Sequence, residues 1–182
     1  QLSTFDDMTL IELIVERGVE FVNELPEGMK KNKQAAAETI ENNVRRKIIE
    51  RSSTNPLYYE KMSELLQKII EERKNQKIEY KKYLEKIVEL TRKVEKPEEY
   101  SGYPYKIKKS PALRAFYDNV TKDEELIMKI HQSVLAVKPD RWLGDKAKEN
   151  VIRSAIYDVT QDDGAVDKVF NILKEHGDVY DK

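Results

Sequence analysis

The chain has 182 residues, no cysteine, 37% charged side chains and a formal net charge of −1; this excludes disulfide scaffolds, thiol catalysis and cysteine-bound zinc, and suits a reducing cytosol. No run approaches the roughly 20 apolar residues of a bilayer span, and Gln1-Leu2-Ser3 carries neither an initiator Met nor a signal core, so the sequence reads as a cytoplasmic piece of a longer protein. Seven acids and one Arg give residues 1–28 a charge of −6, and seven acids and three Lys give residues 157–182 a charge of −4, which leaves +9 on residues 29–156. Such a basic middle suits a polyanionic or acidic partner, although Lys-rich solvated helices produce the same pattern.

Six Gly and six Pro punctuate long segments of helical period, and strand-like alternation is nearly absent, so the expected fold is all-α with no β-sheet. The first helix is expected over Asp6–Glu24, with Ser3 or Thr4 as cap and an apolar stripe that includes Leu10, Ile14 and Val22. A second is expected over Lys33–Arg51, and a third opens at Pro56 with Asn55 as its cap. From there the apolar stripe Tyr59, Met62, Leu66, Ile69, Tyr80, Tyr83, Ile87, Leu90, Val94 meets no Pro or Gly until Pro97. Arg73 and Gln76 share that stripe, and the run from Glu71 to Lys77 has no apolar residue. A continuous helix over 56–95 would be about 60 Å long, against a diameter of roughly 40 Å for a compact domain of this size. It therefore either breaks near Asn75 or bridges two lobes; the expectation is two small helical lobes, 1–75 and 76–182. Residues 96–111, with three Pro and three Tyr, are expected to be irregular. Shorter helices follow over 111–119, 122–137, 145–158 and 164–176, the second with Thr121 and Glu124 as a capping box.

No P-loop, dinucleotide turn, H-E-x-x-H or G-x-S-x-G pattern occurs. Asp162-Asp163-Gly164 lacks the remaining ligands of a calcium loop and reads as a turn plus helix start. His131 reads as a packed or half-exposed histidine and Trp142 as a core anchor. No catalytic residue, metal ligand or cofactor site is expected in this chain. On the second helix, Ala37, Ile40, Val44 and Ile48 form the core stripe, and Glu38, Asn42, Arg45 and Ile49 line the opposite face. That face mixes an apolar residue with groups able to bond one another or a partner; a solvated face with one stray Ile is the competing reading.

The run from Ala37-Glu38-Thr39-Ile40-Glu41-Asn42-Asn43-Val44-Arg45-Arg46-Lys47-Ile48-Ile49 to Asn55-Pro56-Leu57-Tyr58-Tyr59-Glu60-Lys61-Met62-Ser63-Glu64-Leu65-Leu66 resembles the C-terminal helical region of the motor and restriction (R) subunit of type I restriction-modification enzymes. Leu10-Ile11-Glu12-Leu13-Ile14, the Tyr80–Leu90 helix, Ala115-Phe116-Tyr117-Asp118-Asn119 and Trp142 before Gly144 extend the resemblance, which is thin after Lys122. Leu143 stands where that family often has Arg. The resemblance implies an ATP-dependent, DNA-translocating type I site-specific deoxyribonuclease whose ATP, magnesium and nuclease sites lie upstream, so this piece is not itself an enzyme. It further implies docking on the methyltransferase and specificity subunits, contact with upstream motor and nuclease domains, and support of duplex DNA. The candidate docking residues are Glu38, Asn42, Arg45 and Ile49; the candidate DNA contacts are Arg46, Lys47, Lys106, Lys108, Lys109 and Arg114. The alternatives are a purely structural clamp on the motor domains and a stand-alone coiled-coil module, the latter opposed by Arg73 and Gln76 at seam positions.

Overall fold

A computed structural model describes residues 9–181, and every regular element among them is helical. The expected caps Ser3 and Thr4 lie outside the described residues. The described residues divide into two compact units, 9–51 with 59–101, and 52–58 with 102–181. The division expected at residue 75 thus falls instead near 101, and residues 76–101 count with the first unit.

In the first unit, α1 (Leu10–Arg17) starts from Thr9 and Glu12 in a reciprocal capping box. It ends at Gly18 and passes into a 3-10 turn, Gly18–Glu24, rather than continuing to Glu24 as one α-helix. Gly18 is needed there: its φ is +60°, and a Cβ would lie 3.2 Å from the guanidinium of Arg92, which donates to the Val15 carbonyl at 3.1 Å. Pro26 opens the short α2 (Glu27–Lys31), and α3 (Lys33–Arg51) runs over the expected residues with Ala37, Ile40, Val44 and Ile48 buried.

The stretch 56–95 breaks near Asn75, one of the two outcomes expected for it. It forms α4 (Pro56–Lys74) and α5 (Tyr80–Glu95), which return antiparallel: the Tyr59 hydroxyl donates to Val94 O, while Lys86 pairs with Glu72 at 2.7 Å. The break is a Schellman closure, with Gln76 left-handed at φ 52°, its amide donating to Arg73 O and that of Lys77 to Glu72 O. Glutamine occupies the position glycine usually takes, so composition did not mark it. The exposed run 74–77 has little to bury by staying helical, whereas folding back buries Leu66, Ile69, Ile87, Leu90 and Val94. Arg51 closes the end of α5, donating to the Val94 and Glu95 carbonyls and pairing with the Glu95 carboxylate.

A charged network crosses this apolar core. Glu41 of α3, 3% exposed, takes two guanidinium bonds from Arg73 of α4, at 2.7 and 2.8 Å, and one from the Tyr83 hydroxyl of α5 at 2.8 Å. Burial and the adjacent Glu41 carboxylate hold the Tyr83 hydroxyl far above its ordinary pKa, so it stays a donor. Arg73 therefore breaks the apolar stripe because it meets Glu41, not because the stripe ends.

Residues 96–111 are more regular than expected, with α6 (Pro97–Tyr100) in the first unit and α7 (Tyr105–Lys108) in the second. The second unit continues with α8 (Pro111–Asn119), α9 (Glu124–Val137), α10 (Lys146–Thr160), α11 (Asp163–Glu175) and α12 (Gly177–Tyr180). Asp123 rather than Thr121 caps α9, and Asp162 accepts from the amides of Gly164 and Ala165 as the start of α11. Trp142 is fully buried, donates to Tyr180 O at 2.6 Å and meets Phe170 edge-on. His131 is half-buried with Nδ1 2.6 Å from the Tyr180 hydroxyl, and burial lowers its pKa. No described helix is long and apolar enough to cross a membrane.

Candidate interaction surfaces

A helix with Ala36, Ala37, Ile40, Glu41, Val44 and Ile48 turned inward must present Glu38, Asn42, Arg45 and Ile49 outward, since these follow at steps of four, three and four. All four are exposed and share one stripe. Gln34 donates to Glu38 at 3.1 Å and Arg45 to Asn42 at 3.2 Å, so the polar members are lightly ordered within the helix. Ile49 ends the stripe 67% exposed, the more so for lying beside the buried Ile48. Arg46 is exposed and Lys47 pairs with Glu50 at 3.2 Å. These two cations lie in the first unit.

The second basic cluster lies in the second unit. Lys106 and Lys109 are exposed, Lys108 is half-buried, and Ile107 between them is fully buried and anchors α7. Arg114, read from sequence as a phosphate contact, is not on the surface. Only 9% exposed, it donates to the Lys108 carbonyl and lies over the Tyr103 ring. Residues 112–116 of α8 are all buried, so this arginine is consumed in holding α7 against α8.

Sequence reasoning also missed a polar junction in the second unit. Asn55 donates to Asp118 at 2.7 Å and accepts from Asn119 at 2.7 Å. Asn119 Oδ1 accepts from the Leu57 amide at 3.1 Å, capping an orphan donor of the first turn of α4 from 62 residues away. The Tyr103 hydroxyl donates to Asp118; burial and that carboxylate hold its pKa far above the ordinary value. The legible signal was the pair of short stretches, 55–59 and 115–119, each with a single Asn, which carry the resemblance and meet here. Among the described residues, no three or more His, Cys, Asp or Glu side chains gather as metal ligands would.

A family model described as type I restriction enzyme HindI endonuclease subunit-like, C-terminal, matches residues 18–137, about two thirds of the chain. The chain belongs to this family. No curated protein and no solved structure matches it. For this type I restriction subunit domain, the matched span takes in the α3 stripe, the α4–α5 hairpin, the basic turn of α7 and the Asn55–Asn119 junction. Helices α10 to α12, which supply Trp142's partners Phe170 and Tyr180, lie beyond it.

Proposed function

We propose that this chain is the non-catalytic C-terminal helical domain of an R subunit, and that the α3 stripe docks it onto the methyltransferase and specificity subunits. The observation that carries the reading is Ile49, an isoleucine two-thirds exposed amid an acid, an amide and a guanidinium. Burying one such side chain is worth about 1.5–3 kcal/mol, and its polar neighbours supply orientation. Arg46, Lys47, Lys106, Lys108 and Lys109 provide weak, sequence-independent contact with duplex DNA, stronger at low salt. ATP, magnesium, strand cleavage and translocation belong to motor and nuclease domains elsewhere in the full-length subunit.

Ile49→Asp in the full-length subunit tests the docking. Assembly with the methyltransferase core, followed by analytical ultracentrifugation, is expected to weaken by about tenfold or more, since 1.4 kcal/mol is a factor of ten. Far-UV circular dichroism should not change. Undiminished assembly overturns the docking role, and a collapse of helicity would mean that Ile49 supports the fold instead.

A further inference from the structure

The structure points to a second kind of nucleic-acid contact: we infer that Tyr105 is a stacking platform for an unpaired base of single-stranded DNA. The inference rests on the DNA-contacting part of the function proposed above and extends it from phosphates to bases. Tyr105 is 77% exposed, the most open of the large apolar side chains in the described chain. Its near neighbours are used otherwise: Tyr103 packs against Tyr58, Tyr117 and Arg114 and bonds Asp118.

The backbone under Tyr105 is firmly held. Pro104 precedes it, and the Ile107 and Lys108 amides both donate to Pro104 O at 2.9 Å. Ile107 is fully buried, Arg114 grips the Lys108 carbonyl, and Ser110 caps α8 through the Leu113 amide at 3.2 Å. An aromatic ring is thus displayed on a turn with little freedom left to lose on binding.

Its chemical surroundings select the ligand. The ammonium groups of Lys108 and Lys109 each lie 5.9 Å from the ring centre, Lys106 is exposed beside them, and no acid occurs between Lys106 and Arg114. A largely exposed ring with two ammonium groups over it fits a ligand that is flat and apolar at one point and anionic next to it. A nucleotide in single-stranded DNA has that form: its base stacks on the ring and its phosphate meets a lysine. A paired base inside a duplex keeps its face covered by neighbours, so duplex DNA would use the lysines alone.

The test is fluorescence anisotropy of the 182-residue chain with three labelled ligands: a short oligothymidylate, an abasic strand with as many phosphates, and a duplex. Tyr105→Ala is expected to weaken oligothymidylate binding by about tenfold or more while leaving the abasic strand and duplex unchanged. Tyr105→Phe should bind as the parent does. The combined Lys106→Ala, Lys108→Ala, Lys109→Ala variant should weaken all three ligands and flatten the salt dependence. Oligothymidylate binding that survives Tyr105→Ala, or is lost in parallel with the abasic strand, overturns the stacking role; if the lysine variant still loses duplex, the phosphate contacts stand without it. No binding of any ligand by the parent chain overturns both.

Discussion

Removing Arg73 would expose how the first unit is held together. Arg73→Met preserves most of the side chain's apolar length but takes away both guanidinium bonds to Glu41. The carboxylate, 3% exposed, then keeps only the Tyr83 hydroxyl at 2.8 Å. Stranding one member of a buried ion pair costs about 3–5 kcal/mol, a large share of the roughly 5–15 kcal/mol that a domain possesses. In a domain of the first unit's size, each kcal/mol lowers Tm by about 4–8 °C, so the unit should melt at least roughly 12 °C earlier. The informative comparison is the double variant Glu41→Met with Arg73→Met. With both charges gone and methionines filling the space, most of the loss should return. Tyr83→Phe should cost less, about 1.5–3 kcal/mol, because the ion pair survives it. Urea and thermal unfolding followed at 222 nm give all three values. A single Arg73→Met variant within about 0.5 kcal/mol of the parent, or a double variant no better than the single, would refute the claim that this network joins α3, α4 and α5.

Asn119→Ala removes the cap on the Leu57 amide and one of the two partners of Asn55, and should destabilise the second unit by about 1–3 kcal/mol in urea titration. Gly18→Ala forces a Cβ onto a left-handed residue facing Arg92 and should cost on the order of 1–3 kcal/mol by the same assay. His131 predicts a pH dependence. Its folded pKa lies below the unfolded value, because burial favours the neutral ring that accepts from Tyr180. The unfolded chain therefore takes up the proton first, and stability should fall as pH drops through about 6.5, levelling once the folded ring also protonates. His131→Gln should flatten that slope in thermal melts; an identical slope would contradict it.

Where the sequence punctuated itself, the fold was readable. Proline at the first position placed the starts of α4 and α8, and the apolar spacing of Ala37, Ile40, Val44 and Ile48 placed the buried face of α3 and hence its outward stripe. The bare run from Glu71 to Lys77 put a possible break near Asn75, but the choice between a break and a bridging helix was not readable, because the turn's left-handed residue is Gln76 and the decisive energy is the burial of α4 against α5, a tertiary effect. Gly18 did mark a break, but periodicity continued across it and masked the change to 3-10 geometry. α6 and α7 are single turns, too short to show a period. Among the candidate site residues, Arg114 misled because charge alone says nothing of burial, although its position inside Ala112-Leu113-Arg114-Ala115-Phe116 was a warning. Glu41 and Arg73 carried a similar signal, two opposite charges each on an apolar stripe.

These 182 residues contain no cysteine, so a thiol introduced on the proposed docking face is the only one in this stretch of the subunit. Asn42→Cys on the α3 stripe and Lys81→Cys, on an exposed position of α5, would be introduced separately into the full-length subunit and treated with a maleimide, and labelling of this chain followed by mass spectrometry. Adding the methyltransferase and specificity subunits should slow modification at position 42 by about tenfold or more and leave position 81 unaffected, as burial in an interface requires. Equal labelling of position 42 with and without those subunits, under conditions where the complex has formed, would contradict docking through α3.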